Sequence, residues 1–267
     1  MIQRREFPQS YLTVHGAVGV ITMNAPASMN AASLAMMAGL LQALDAAEAD
    51  PAIRALILTG EGEAFCAGAN LNEPSPMRAD GAQMGAGERL EAAYHPFLRR
   101  LRASRLPLVT AVNGPAVGIG MSFALMGDLI VAARSAFFLQ GFSRIGLVPD
   151  GGSSWLLPRL VGLARARELA LLGEPLPAPK ALEWGLVNRV AEDEGLMDMA
   201  LALAARLAAG PFALAATRRL LWESPGHDHE THLGHEMAAQ QEAGASADFK
   251  EGLAAFHEKR PPRFTGR

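Results

Sequence analysis

Short apolar runs alternate with helical periodicities through the first half of the chain, and this alternation predicts its elements. Val18 to Met23 reads as a strand closed by Asn24-Ala-Pro26. Asn30 is expected to cap a helix whose apolar stripe is Met37, Leu40, Leu41 and Leu44, with Asp50-Pro51 as its stop. Ile53 to Thr59 is an almost unbroken apolar run before Gly-Glu-Gly, as expected of a strand covered on both faces. A helical pattern from about Gly87 to Ser104 leads to another strand, Leu108 to Val112, and a helix is expected after Gly118 and Gly120. Asp128 to Ala133 and Ala136 to Leu139 predict two further strands. Strands alternating with helices indicate α/β layers with parallel strands. Past Gly152, prolines 158, 175, 177 and 179 punctuate short helices. A longer helix from about Gly195 should present Leu196, Met199, Leu203 and Leu207 on one face and stop at Gly210-Pro211. The expected boundary between an α/β core and a helical C-terminal part lies near residue 200.

Composition narrows the class. The 267 residues are 50% hydrophobic and 19% charged, which excludes a disordered chain. Only 6% are aromatic, against 27 glycines and 12 methionines, so small and aliphatic side chains must fill the interior. A net charge of −3 argues against a nucleic-acid partner held by bulk electrostatics. The single cysteine excludes an intramolecular disulfide, and the polar N-terminus lacks the apolar stretch of a signal peptide; a cytoplasmic location is expected. Leu106 to Gly127 carries no charge and is long enough to span a bilayer. Pro107, Asn113-Gly-Pro115, Gly118 and Gly120 break it, so it reads as buried core and no membrane partner is expected.

Several chemical motifs fall short. Gly118-Ile-Gly120-Met-Ser-Phe123 has Phe where a dinucleotide fingerprint needs its third glycine, and Gly120-Met-Ser122-Phe-Ala124 lacks the second glycine of a nucleophile elbow. His227, His229, His232 and His235 invite a metal, but their spacing fits no zinc helix and a solvated helix face is the better reading; no metal is expected. Cys66 reads as a small buried residue rather than a nucleophile.

Two loops are more informative. Ala64-Phe-Cys-Ala-Gly68-Ala-Asn70-Leu leaves one buried strand, and Asn113-Gly-Pro-Ala-Val-Gly118-Ile-Gly120 leaves the next. Loops at the carboxyl ends of parallel strands are where α/β proteins bind ligands, and small residues there let backbone N–H groups approach closely. Two amides converging on one oxygen would form an oxyanion hole. Taken singly, each loop is equally well a tight turn.

In order and spacing, the motifs resemble the crotonase superfamily, the enoyl-CoA hydratase/isomerase family, over nearly the whole chain. They are Asn24-Ala-Pro26 with Asn30-Ala31, the two loops, Asp128, Ala136-Phe-Phe-Leu139, Ile145-Gly-Leu-Val-Pro-Asp-Gly-Gly152, Trp184-Gly-Leu-Val187 and Phe256-His-Glu-Lys-Arg260-Pro-Pro. The resemblance implies an α/β fold, the crotonase (ClpP-like) spiral of ββα units with a C-terminal helical region. Residues 1–200 would be the acyl-CoA-binding core and 201–267 the helical assembly region of a homotrimer or homohexamer. It implies an acyl-CoA thioester as substrate, with coenzyme A arriving as part of it and no separate cofactor. By position, the oxyanion amides are those of Ala69 and Ile119. Ala27, Met29, Ala31, Ala67, Gly68, Phe256 and Lys259 match positions that touch CoA.

The two glutamates used by the family's hydratases fall on Ser122 and Phe142, which would instead line the acyl pocket. Ser is no carboxylate base and Phe exchanges no proton. Asp150 remains, matching the aspartate used by some isomerases and a dehalogenase of the superfamily; its segment most resembles isomerases of ring-epoxidised phenylacetyl-CoA and of 3-enoyl-CoA. The expectation is therefore an acyl-CoA isomerase with Asp150 as proton shuttle. The alternatives are a hydratase drawing a second acid from Glu73, Glu88 or Glu91, and a non-catalytic acyl-CoA-binding protein. A helix start near Ser153 would favour the Asp150 anion and apolar neighbours would oppose it; a cap beside a Gly-Gly turn is the bland reading of this residue.

Overall fold

The central sheet of the computed structural model, which describes residues 4–267, is built from the most apolar runs of the sequence. Its strands are β1 (Arg4–Phe7), β2 (Ser10–His15), β3 (Val18–Met23), β4 (Ala55–Gly60) and β5 (Leu108–Val112). After β6 (Ala116–Val117), it is completed by β7 (Leu129–Ala133) and, past β8 (Phe137–Leu139) and β9 (Leu176–Pro177), by β10 (Arg189–Ala191). The order is β1-β2-β3-β4-β5-β7-β10. From β3 to β10 every pairing is parallel, whereas β1, β2 and β3 form an antiparallel meander. Strands β3 and β5 are buried at every residue, and β4 at all but its last. A small second sheet, β6-β8-β9, stands over the carboxyl ends of β4 and β5.

The helices cover both faces. The first, α1 (Leu34–Ala49), buries Met37, Leu40 and Leu44 as the periodicity requires. Its cap is Ser33, whose side chain accepts from Met36 N–H, and not Asn30. Asn30 is a fully buried clasp in the left-handed region (φ 55°). Its amide accepts from Ala25 N–H and donates to the carbonyls of Glu61 and Ala64, tying two loops together. The expected helix before β5 is α2 (Ala86–Arg89), a π-helical turn over Leu90–Tyr94, and α3 (His95–Ala103). The apolar stretch after β5 is indeed broken, into β6 and the short buried helix α4 (Ile119–Ala124). No single helix among the described residues is long and apolar enough to cross a membrane.

Then come α5 (Ser153–Val161), α6 (Leu163–Leu172), α7 (Ala178–Glu183) and α8 (Leu196–Ala208). The helix α8 packs on β4, β5 and β7, and the boundary expected near residue 200 falls within it. Its buried line is Leu196, Ala200, Ala204 and Ala208; Met199, Leu203 and Leu207 flank that line, half-buried. Alanine lets a helix approach a sheet closely, so the small residues and not the leucines mark the contact. The chain ends in α9 (Ala213–Glu223), α10 (His229–Gly244) and α11 (Ala247–Glu258).

Candidate active site

The two glycine loops meet at the carboxyl ends of β4 and β5. In the first, Ala67 N–H donates to Met29 O (2.9 Å) and Asn70 N–H to Ala32 O (3.2 Å). The Ala69 N–H between them has no acceptor among the described residues. In the second, Val117 N–H donates to Cys66 O (2.9 Å) and Gly118 N–H to Leu139 O (2.8 Å). Ile119 then opens α4, and its N–H belongs to the first turn that a helix leaves unpaired. Gly118 makes the corner at φ 54°. Gly120 lies so close to Cys66 that any side chain would press into the Cys66 carbonyl, and a Cβ on Gly68 would come within 3.2 Å of Val117 O. The loops are therefore in direct contact, with Ala69 and Ile119 on adjoining backbones.

Asp150 is carried to this place by the loop before α5. Its main-chain carbonyl accepts from Ser122 Oγ (2.9 Å), Ser153 Oγ (2.8 Å) and Ser153 N–H (3.0 Å). Gly151, at φ 59°, rests on α4 where a Cβ would collide with Ile119 and Ser122. The side chain is treated oppositely: Asp150 Oδ1 is buried without a hydrogen-bond partner among the described residues. Burial pushes the carboxyl up to about 6, against the opposing charge of His95. The side chain caps nothing, because Gly152 holds the cap position of α5. Desolvation thus prevails over the helix start that could have favoured the anion.

Ser122 is fully buried and its hydroxyl is spent on the Asp150 backbone. Phe142 is buried too, its ring within van der Waals reach of the position a Gly118 side chain would take, so it closes the corner of the second loop. Ala67 and Gly68 adjoin Met29, and Ala27, Met29 and Ala31 follow on the turn Pro26–Ser28. This brings five of the expected CoA positions together. Phe256 and Lys259 lie elsewhere, at the end of α11, where Lys259 is the left-handed cap (φ 55°) and Phe256 is exposed. Neither side chain hydrogen-bonds to the loops. Cys66 is buried, its thiol pushed up to about 12 by desolvation, which suits packing and not nucleophilic attack. The rings of His227 and His235 stack (4.3 Å), and no cluster of three or more ligating side chains able to hold a metal occurs among the described residues.

The three glutamates considered as a second acid are engaged elsewhere. Glu73 accepts from Leu34 N–H at the start of α1 and pairs with Arg89. Glu88 pairs with Arg78. Glu91 binds Arg99 (2.6 Å) and His95 Nδ1 (2.9 Å), which hold its carboxyl down to about 2. His95 itself went unnoticed in the sequence, although Glu91, His95 and Arg99 form a ladder of four-residue steps on one helix. Tyr94, also unnoticed, is buried and donates its hydroxyl to Ala32 O (3.0 Å). Because Ala32 bridges to Ala69, this bond fastens the start of α3 to the first loop. A cavity of about 870 Å³ lies at the opposite, amino end of the sheet, among Arg54, Arg102, Arg105 and Trp222.

Residues 13–267 match the enoyl-CoA hydratase/isomerase family. The 1,2-epoxyphenylacetyl-CoA isomerase of Escherichia coli K12 is 43% identical over 95% of this chain and 97% of its own. A protein of Rhodobacter capsulatus named "Probable enoyl-CoA hydratase" is 42% identical over 94% of this chain and 95% of its own. The crystal structure of an enoyl-CoA hydratase from Polaromonas sp. JS666 superposes with a TM-score of 0.87 at 35% identity, covering 96% of this chain and 99% of that one. The fold is thus the crotonase fold expected from the motifs, and the chain belongs to the enoyl-CoA hydratase/isomerase family.

Proposed function

We propose that the protein is an acyl-CoA isomerase in which Asp150 shuttles a proton while the amides of Ala69 and Ile119 hold the thioester oxygen. The observation that carries this reading is the lone carboxylate. Asp150 presents an unbonded oxygen on a loop whose Gly151 rests against Ile119, while Ser122 and Phe142 offer no acid and Glu73, Glu88 and Glu91 are engaged elsewhere. Adding water across a conjugated double bond calls for two proton-transferring acids; moving the bond calls for one that can take a proton and return it.

With a 3-enoyl-CoA, the Asp150 carboxylate takes a proton from C2 and the released electron pair forms the enolate at the thioester oxygen. Two preorganised N–H donors stabilise the charge where it develops. The resulting carboxylic acid returns the proton at C4, the C2=C3 bond forms and Asp150 is again ionised. A carboxyl near about 6 is partly matched to both halves of this cycle. A ring epoxide of an aromatic acyl-CoA is the second substrate class that such an enolate site accommodates, and the isomerase relative supports it.

Ala27, Met29, Ala31, Ala67 and Gly68 would line the CoA path. Phe256 and Lys259, remote from the loops, would contribute from α11 of the same or a neighbouring subunit. Exposed Leu221, Leu233, Met237, Phe249 and Leu253 on the C-terminal helices support assembly into a homotrimer or homohexamer, with 201–267 as the assembly region. The test is the absorbance of the conjugated thioester. Appearance with 3-enoyl-CoA supports the isomerase; loss with 2-enoyl-CoA identifies a hydratase; no change with either, and no turnover of a ring-epoxidised aromatic acyl-CoA, identifies a binding protein.

A further inference from the structure

The loops at the carboxyl end leave the open space at the other end of the sheet without a role. The cavity of about 870 Å³ there is lined by seven arginines against two glutamates, Glu223 and Glu242. Beside it, between β7, α5, α8 and α9, lies a cleft of about 440 Å³ walled by Leu125, Leu129, Leu156, Leu207 and Leu214. Pro107, Leu207, Leu214, Arg218 and Trp222 line both, so the basic space and the apolar one adjoin.

Most of these arginines are already spent. Arg218 is buried, with Nε on Asp128 (2.7 Å) and its other nitrogens on the carbonyls of Leu101, Arg102 and Ser104. Arg54 binds the carbonyls of Phe264 and Gly210, Arg99 pairs with Glu91 and Arg219 with Glu242. Arg102 differs. Its Nη2 donates to Trp222 O (3.0 Å), whereas its Nε and Nη1 meet no acceptor, and its charge no carboxylate, among the described residues. Its guanidinium lies 5.6 Å from the ring centre of Trp222 and 5.7 Å from that of Trp155, and the two rings stack (6.2 Å) along the cleft. A cation with open donors thus stands where the cleft meets the basic cavity, held beside aromatic rings.

We propose that this joined space is a second ligand site, which takes a fatty-acid anion with its alkyl chain in the leucine cleft and its carboxylate at Arg102. Charge complementarity sets the head group. One guanidinium with open donors matches one carboxylate, and Glu223 and Glu242 disfavour a more highly charged group. The cleft sets the tail, because an alkyl chain against leucine, proline and tryptophan leaves water as those side chains do. Asp128, the one carboxylate among the residues lining the cleft, already accepts from Arg218 Nε and Trp222 Nε1 and does not oppose the anion. The site lies at the far end of the sheet from Asp150 and stands apart from the isomerase reading.

The experiment titrates the full chain with decanoate by calorimetry, and with decyltrimethylammonium as the same tail carrying the opposite charge. Decanoate should bind once per subunit and change the tryptophan fluorescence, since Trp155 and Trp222 line the cleft. Arg102→Gln removes the charge at the junction and should weaken decanoate about tenfold, the worth of one charge-assisted hydrogen bond. Thr217→Trp, made at an exposed position of the cleft wall, should fill the cleft and abolish binding. Decyltrimethylammonium should not bind. Equal binding of the cation, or decanoate affinity unchanged in both variants, overturns the site; the acid then lies elsewhere, as in the acyl pocket at the carboxyl end. No saturable binding by the wild type overturns it too, and light scattering of Thr217→Trp then shows whether the cleft is instead a contact between copies.

Discussion

Two aspartates of this protein, Asp248 buried and Asp150 half-buried, receive opposite treatment. Asp248, in the first turn of α11, accepts from Phe212 N–H (2.8 Å), Thr265 N–H (2.7 Å) and Gly266 N–H (2.8 Å) and from the Thr265 hydroxyl (3.2 Å). Burial pushes its carboxyl up, but the amides of Thr265, Phe212 and Gly266 outweigh that and hold it below the ordinary value. Asp150 is partly removed from water, yet the donors around it are spent on its backbone carbonyl and Oδ1 has none among the described residues. Its carboxyl rises to about 6. The difference separates a carboxylate that holds structure from one kept available. Asp248 clasps the C-terminal tail to the start of α9, and its proton would be hard to restore. Asp150 is fixed in position by its main chain and left chemically unsatisfied.

The comparison breaks most visibly under one substitution made at both sites. Asp150→Asn should lower kcat on a 3-enoyl-CoA by about 10²–10⁴-fold, the usual worth of a proton-transferring group. It should nevertheless raise stability at pH 8, by about 1–2 kcal/mol once partial exposure is discounted. The sign follows from the raised carboxyl. Ionising half-buried Asp150 costs stability above about pH 6, and the cost fades as pH falls toward the unfolded value of 3.8. The gain should therefore vanish near pH 4 in thermal melts. Asp248→Asn should do the reverse, costing about 2–4 kcal/mol at pH 7 by turning an amide N–H toward donors, with kcat nearly unchanged. The depressed carboxyl of Asp248 stabilises above its unfolded value, and that contribution is lost on acidification. Equal stability changes at the two sites would sink the distinction.

Smaller effects test how Asp150 is held. Gly151→Ala places a Cβ against Ile119 and Ser122 at a positive φ, so unfolding by urea should show a loss of about 1–3 kcal/mol, with kcat falling as the carboxylate is displaced. The wild-type kcat/KM should rise with pH through an inflection near about 6, since the carboxylate form takes the first proton. A flat profile from pH 5 to 8 would contradict this assignment. Ser122→Ala removes one of three donors to the Asp150 carbonyl and should cost only about 0.5–1.5 kcal/mol, with less than about a tenfold change in kcat.

Most of the frame was legible because burial on both faces writes itself as unbroken apolar runs. Strands β3, β4, β5 and β7 and the packing stripe of α1 could be read directly. The hairpin β1–β2 could not, since Arg-Arg-Glu-Phe is a polar, exposed edge with no alternating signal. Asn30 looked like a cap because caps and clasps favour the same residue types; only the fold shows which carbonyls it meets. The face of α8 was misplaced because hydrophobicity ranks leucine above alanine, whereas close helix–sheet packing does not. In the site, Asp150 and the two loops stood out by motif. Tyr94 did not, because its partner Ala32 lies far along the chain and is brought near by folding alone.

The proposed oxygen-binding pair has a consequence for how this protein can change. Its donors are main-chain groups, so nineteen of the twenty amino acids at position 69 or 119 would leave a donor in place, and proline alone deletes it. What the chain must preserve is the bare backbone at Gly68 and Gly120 that lets the two loops touch, and the positive φ at Gly118 that turns the corner. The acid beside that pair is a side chain and can be exchanged by a single replacement. A catalytic power carried by main-chain atoms leaves little trace at its own positions, and residues with no reactive group of their own record it instead.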